Sequence, residues 1–236
     1  INMLSLPSLL VRFLQHSSVF MVKDNLGNII SNLPFSQACE NNQQPILEVL
    51  QQELKNSHHV LEVGSGTGQH SVYFAPRLTH LHWQTSDVYA NHAIINAWHA
   101  AYPAPNLYAP LSFDVASDSI PINKTINAPY DAVFTANTLH IMSWSLVTRL
   151  FETVGDMLPL EGKLIIYGPF NENGRYSSES NRQFDYSLRQ RDSNSGIRAL
   201  EDITAVAEKQ HLLLINRYKM PANNEILVFQ KSADMP

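Results

Sequence analysis

The stretch VLEVGSGTGQH, Val60 to His70, sets how the rest of the chain is read. Three apolar residues and one acid, Glu62, run into glycines at 64, 66 and 68. A short apolar run bounded by glycine reads as a buried strand entering a tight turn. Glycine lacks a Cβ, so such a turn lets bare backbone come close to a ligand. A dinucleotide fingerprint is G-x-G-x-x-G, with the pyrophosphate on the N-terminus of the helix that follows. Gly64 and Gly66 fit that pattern, but its third position falls on Gln69 while the glycine stands at 68. A frame shifted to Gly66 and Gly68 ends on Ser71 and starts two residues late.

Working outward, strand and helix patterns alternate. Ser36–Leu54 has helical spacing in Ile46, Leu47, Val49, Leu50 and Leu54, and Pro45 is expected to split off the part before it. After the strand His59–Val63 comes a short helix, Thr67–Ala75, which Pro76 ends or kinks. Leu81–Gln84, Tyr108–Phe113, Ala132–Thr135 and Lys163–Tyr167 read as strands, with helices at Ala93–Ala101 and Ser145–Leu158. A helix over Leu200–Lys209 and two strands, Leu212–Ile215 and Ile226–Gln230, complete the series. This order predicts an α/β fold with a doubly wound, mainly parallel sheet. Ligands of such sheets bind at the carboxyl ends of the strands, where the glycine loop lies.

The bulk numbers fit one such domain. The chain has 236 residues, 44% hydrophobic and 16% charged, with formal net charge -5. That balance excludes a disordered chain and argues against a nucleic-acid binder, which shows a basic face. The single cysteine, Cys39, cannot form an internal disulfide or a CxxC site, so a reducing, cytoplasmic setting is expected. Residues 1–20 are apolar, lack a basic leader region and are too short for a membrane span. They are expected to lie partly upstream of the natural start or to form a peripheral helix. Residues 1–35 therefore read as an extension, and 36–233 as one domain. Asn25–Asn28 reads as a turn. The ten histidines show no paired metal spacing, and no metal is expected.

The spacing E-x-G-x-G-x-G, Glu62 to Gly68, resembles that of Rossmann-like class I methyltransferases that use S-adenosylmethionine (SAM). SAM has no pyrophosphate to cradle; it carries a sulfonium, an ammonium and a carboxylate. Glu62 suits the ammonium, and Gly64, Ser65, Gly66 and Gly68 let the ligand lie against the loop. Asp87, at the end of the second strand, can accept the ribose hydroxyls or cap a helix. By the same resemblance Asp114 takes the adenine amino group and the Val115 N–H a ring nitrogen, with a helix cap as the other reading of Asp114. Asn137, at the end of the fourth strand, is placed near the sulfonium.

The chain further resembles the methyltransferase-like twenty-six proteins of animals and their bacterial relatives, over about residues 38–231. Glu40-Asn41-Asn42, VLEVGSGTGQH, Trp83–Asp87, Asn137–Ile141, YGPFNENG at 167–174 and MPANN at 220–224 carry that resemblance. So do Ser180-Asn181 with Phe184-Asp185, and Gly196-Ile197-Arg198 with Glu201-Asp202. It implies SAM as cofactor, a seven-stranded sheet with the last strand antiparallel, a methyltransferase assignment and a role for His70 in or beside the pocket. It names no substrate. This chain departs from the family where Asn41 replaces an Arg, which removes a cation near the site.

Methyl transfer from a sulfonium is an in-line displacement that needs alignment first and a base only for a protonated acceptor. His140 is a candidate base or orienting donor, or a structural histidine bonded to a carbonyl. Tyr167 lines the acceptor pocket or belongs to the core. The polar segment 168–196 is read as a long loop over the site, with Asn171, Asn181 and Asp185, joined by Asn42, contacting the acceptor. Asn223-Asn224 reads as a hairpin turn. The expected function is SAM-dependent methylation of a small molecule by a monomer or homodimer, with no nucleic acid or membrane as partner. A SAM-binding protein without catalysis is the alternative. A nicotinamide-dependent oxidoreductase is more remote, because its third glycine and its Tyr-x-x-x-Lys pair are missing.

Overall fold

A computed structural model describes residues 18–23, 29–126 and 128–233. The turn expected at 25–28 and residues 1–17 of the expected extension lie outside them. A hairpin of β1 (Ser18–Lys23) and β2 (Ile29–Phe35) comes first, so residues 18–20, the described part of the expected peripheral helix, are strand. Leu33 and Phe35 at its end pack on Trp98, whose indole N–H donates to the Pro34 carbonyl at 2.8 Å.

The main chain then runs α1 (Gln37–Glu53), β3 (His59–Val63), α2 (Gln69–Phe74), β4 (His82–Asp87), α3 (His92–Ala101) and β5 (Leu107–Ser112). It continues through β6 (Ala132–Ala136), α4 (Trp144–Met157), β7 (Lys163–Gly168), β8 (Phe170–Asn171) and α5 (Glu179–Arg191). It ends with β9 (Arg198–Ala199), α6 (Leu200–Glu208), β10 (Leu212–Met220) and β11 (Asn224–Lys231). The seven-stranded sheet has the order β10-β11-β7-β6-β3-β4-β5. β5, β4, β3, β6 and β7 are parallel, and β11 enters antiparallel between β7 and β10. The chain winds outward from β3 through β4 to β5, then crosses back to β6. The switch point is therefore between β3 and β6, where ligands of open α/β sheets bind.

Alternation along the strands sorts the core onto two faces. Leu61, Val63, Val133, Leu164 and Ile166 meet α4 and α6. Val60, Phe134, Ile165 and Tyr167 meet α1 and α2 on the other face. Pro45 does not divide α1, contrary to the sequence reading: one 17-residue helix runs through it. Buried Asn42, Ile46, Leu47, Val49 and Leu50 hold its inner face against the sheet, and that packing outweighs the lost backbone bond. Segment 168–196 is likewise not one long loop, because α5 occupies 13 residues of it.

Candidate active site

The carboxyl edge of the sheet carries two cavities, one over each face. The loop after β3 separates them. Gly64, Gly66 and Gly68 all have positive φ, at 72°, 59° and 86°. At Gly64 a Cβ would stand 2.6 Å from the Thr138 methyl, so only glycine lets the loop and the end of β6 meet. Asn137, just past β6, also has positive φ (59°), and its N–H donates to the Tyr167 carbonyl at 2.9 Å. Asparagine tolerates this left-handed conformation better than most residues.

The first cavity, about 250 Å³, lies on the α4 side. Val63, Phe113, Ile141, Met142 and Leu146 give it apolar walls, and Asp87, Asp114 and Asp192 give it carboxylates. No lysine or arginine stands among its described lining residues. Asp87 is 1% exposed. One of its oxygens accepts the Gly66 N–H at 2.8 Å; the other accepts the Val88 N–H at 2.7 Å and the Asn91 amide at 2.8 Å. Burial pushes its carboxyl up, against these three donors. Asp87 thus ties the glycine loop to the strand beside it, and the oxygen facing Gly66 keeps capacity for one more donor. Asp114 lies two residues past β5 and accepts the Ala116 N–H at 2.9 Å in a turn. Val115 lines the same cavity.

The second cavity, about 380 Å³, opens on the α1 side. Asn42, Asn137, Tyr167, Asn181, Phe184 and Pro221 contribute to it. His70 is buried, and its Nε2 lies 2.7 Å from the Asn42 carbonyl oxygen. Burial drives the His70 imidazole down to about 4, against the pull of Glu62. The imidazole is therefore neutral near pH 7 and donates from Nε2, because that amide oxygen can only accept. Burial pushes the Tyr167 hydroxyl up, opposed by a hydrogen bond from Asn42. Asn181 donates to the Ser177 hydroxyl at 2.7 Å and to the Asn223 carbonyl at 3.0 Å. The second bond docks α5 on the tight turn between β10 and β11, where Ala222 and Asn223 both have φ of 57°.

Other expected site residues have different work. Glu62 lines neither cavity: it points to the α1 face, where its carboxylate accepts the Trp83 indole N–H at 2.9 Å. Burial pushes that carboxyl up to about 7, against the Trp83 bond and the nearby His70. Ser65 accepts the Ser86 N–H at 3.2 Å, and Gly68 packs on Ile95. Asp185 does not line the second cavity, because it is spent inside the α5 region. It accepts the Tyr176 hydroxyl at 2.8 Å, the Arg189 guanidinium at 2.9 Å and the Ile197 N–H at 2.6 Å. Asn171 pairs β8 with β9 and lines neither cavity. His140 is 6% exposed and packs edge-on to Phe184 at 5.2 Å between centroids. Burial, with nearby Arg198, lowers its imidazole to about 4, so it stays neutral. Its ring bonds to no carbonyl among the described residues.

The apolar wall of the first cavity and the Asp192–Asn194 rim went unread in the sequence. The signal for the wall was present: apolar Leu139, Ile141 and Met142 follow after the strand has ended. Burial pushes the Cys39 thiol up and so holds it in its protonated form. Among the described residues no group of three or more His, Cys, Asp or Glu stands close enough to hold a metal ion, and no helix is long and apolar enough to cross a membrane.

The architecture is similar to that of several solved methyltransferases. An O-methyltransferase family 2 protein from Planctomyces limnophilus, solved with apigenin, superposes with TM-score 0.70 at 18% identity, covering 83% of this chain and 58% of that one. PigF with SAH gives 0.69 at 12% identity, covering 81% and 56%. The SAM-dependent methyltransferase SibL, in its apo form, gives 0.68 at 17%, covering 82% and 55%. This chain thus spans little more than half the length of each. At these identities the likeness establishes the fold: Rossmann-like, with a seven-stranded, mainly parallel sheet. At the level of sequence, the model of the family described as "Protein of unknown function (DUF938)" matches residues 33–231, and the chain belongs to that family.

Proposed function

We propose that this chain is a SAM-dependent methyltransferase acting on a small molecule. The observation that carries the reading is the charge of the first cavity. Three carboxylates and no described cation line a space beside a glycine loop at the switch point. A pyrophosphate there would meet repulsion, whereas a cationic sulfonium nucleoside meets attraction. The structural neighbours favour the same ligand, since SibL is a SAM-dependent methyltransferase and PigF was solved with SAH. The motif resemblance to the methyltransferase-like twenty-six proteins points the same way.

In this reading the nucleoside enters the first cavity. Asp87 accepts a ribose hydroxyl through the oxygen it shares with Gly66, while Asp114 and Val115 meet the adenine edge. The methionine part crosses the loop at Gly64 and Gly66, and the methyl group points past Asn137 into the second cavity. Glu62, Ser65, Gly68 and His70 support the loop from behind. Catalysis is alignment of an acceptor atom with the methyl–sulfur bond. Tyr167 stays protonated and orients the acceptor by hydrogen bonding. Neutral His140, behind Phe184, is available as a weak proton acceptor.

Calorimetric titration with SAM and, separately, with NAD tests the ligand. Saturable SAM binding with none for NAD is expected; the reverse result would make this an oxidoreductase. Transfer of label from methyl-labelled SAM to a metabolite mixture then separates an enzyme from a SAM-binding protein without catalysis.

A further inference from the structure

The second cavity differs from the first in one respect that bears on what it accepts. Its walls contain carboxamides, a phenol and apolar rings, and no charged side chain among the described residues. Charged groups close in sequence on α5 and β11 are paired elsewhere. Glu179 pairs with Arg182, Asp185 with Arg189, and Glu225 with Arg217 and Lys219. Asn41, on the rim, takes a hydrogen bond from Gln37 at 2.9 Å.

The polar groups of the wall have fixed directions. His70 donates to the Asn42 oxygen, which leaves the Asn42 amino group as a donor. Tyr167, on the same wall, has an O–H to donate into the cavity. Asn181 uses both amide hydrogens on Ser177 and Asn223, and its carbonyl oxygen accepts from nothing among the described residues. The wall therefore presents donors, Tyr167 among them, and acceptors, Asn181 among them, with Phe184 beside them.

We infer that the methyl acceptor is an uncharged, flat molecule bearing both a hydrogen-bond acceptor and a hydrogen-bond donor, of the lactam, carboxamide or hydroxy-heteroaromatic class, and not a carboxylate or phosphate. The inference rests on the methyltransferase reading for the word acceptor; the binding preference belongs to the cavity itself. Selectivity of this kind is strong because an anion in an uncharged wall loses its water without gaining a partner.

The probes are para-hydroxybenzamide and para-hydroxybenzoate, which share a body and differ in charge. Each is titrated against the full chain with and without saturating SAH, by ligand-observed NMR. The amide is expected to bind at least about tenfold more tightly than the carboxylate, the loss typical of an unpaired buried polar group. Asn181→Asp is expected to weaken the amide about tenfold and Tyr167→Phe severalfold, with SAH affinity unchanged in both. Equal or tighter binding of the carboxylate overturns the inference. So does no saturable binding of the amide, or amide affinity unaltered in both folded variants. If SAH fails to bind while the amide preference holds, the donor assignment falls and the cavity's preference stands.

Discussion

At the amino edge of the sheet, Glu53 is 5% exposed and its carboxylate is met by the Lys163 ammonium and the Asn216 amide, at 2.8 and 2.7 Å, and by the Tyr218 hydroxyl. At the carboxyl edge, Asp87 is 1% exposed and meets N–H donors alone, all neutral. Burial raises the pKa of both acids; at Glu53 the hydrogen bonds from Lys163 and Tyr218 overturn that and hold it below its usual range, while at Asp87 the donors do not. One edge is closed electrostatically. The other carries carboxylates with no lysine or arginine among the residues that line its cavity, which is the condition for attracting a cationic ligand.

The contrast breaks most visibly at Lys163. Lys163→Met leaves Glu53 buried without its cation, and urea unfolding is expected to show a loss of about 3 kcal/mol, as when one partner of a buried pair is removed. SAH affinity is expected to stay the same, since this edge is remote from both cavities. A loss below about 1 kcal/mol would mean that solvent already screens Glu53, and the two edges would not differ as described.

Glu62 sharpens the same contrast through pH. The folded chain raises its carboxyl from 4.5 to about 7, so the native state holds this proton more tightly than the unfolded chain does. Its contribution is fully present below about 4.5 and is lost as pH rises to about 7. Glu62→Gln keeps an oxygen for Trp83 and has no proton to lose, so near pH ~8 it is expected to be about 2 kcal/mol more stable than the parent. His70, His99 and His140 act with the opposite sign. Burial moves each from 6.5 to about 4, so their contribution is present above 6.5 and is lost as pH falls toward 4. The variant's stability should therefore climb more steeply than the parent's between about pH 4.5 and 6.5. Parallel pH curves for the two proteins would show that Glu62 is ionised throughout.

Asp87→Ala tests the open edge directly. It removes the proposed ribose partner and frees the Gly66 N–H, and SAH affinity is expected to fall at least about tenfold. Unchanged affinity in the folded variant would remove Asp87 from the site.

The glycine loop, the strand order around it and the position of Asp87 were legible because they rest on local signals: glycine spacing, apolar runs and an acid at a strand end. α5 was not. Its buried stripe is Asn181, Asp185 and Leu188, two of them polar, so hydrophobic periodicity had nothing to register. Its caps were readable all the same, with Ser178 accepting the Asn181 N–H at 3.1 Å, Glu179 in the first turn and Arg189 and Arg191 in the last. Asp185 was misplaced for the same reason, since a polar residue in an apparent loop suggests a ligand contact when its partners, Tyr176, Arg189 and Ile197, are out of view. Glu62 failed differently. Strand alternation put Val63 toward the first cavity and therefore Glu62 away from it, a consequence of period two that the spacing of the glycines obscured.

Asn137 offers the smallest and most selective change. It lines the second cavity just past β6, in a left-handed conformation that costs a Cβ-bearing residue about 1 kcal/mol, less for asparagine. Asn137→Gly removes the carboxamide and relieves the backbone, so stability should move by no more than about 0.5 kcal/mol. SAH affinity should fall about threefold, the worth of one neutral hydrogen bond. Asn137→Ala removes the same carboxamide but keeps a Cβ at positive φ, and should cost about 1 kcal/mol of stability with the same threefold loss. Equal ligand losses with unequal stabilities would assign the affinity to the side chain and the stability to the backbone. If the alanine variant alone lost affinity, the turn's shape and not its amide would be what the ligand reads, and the boundary between the charged and uncharged cavities would be set by the chain's path past β6.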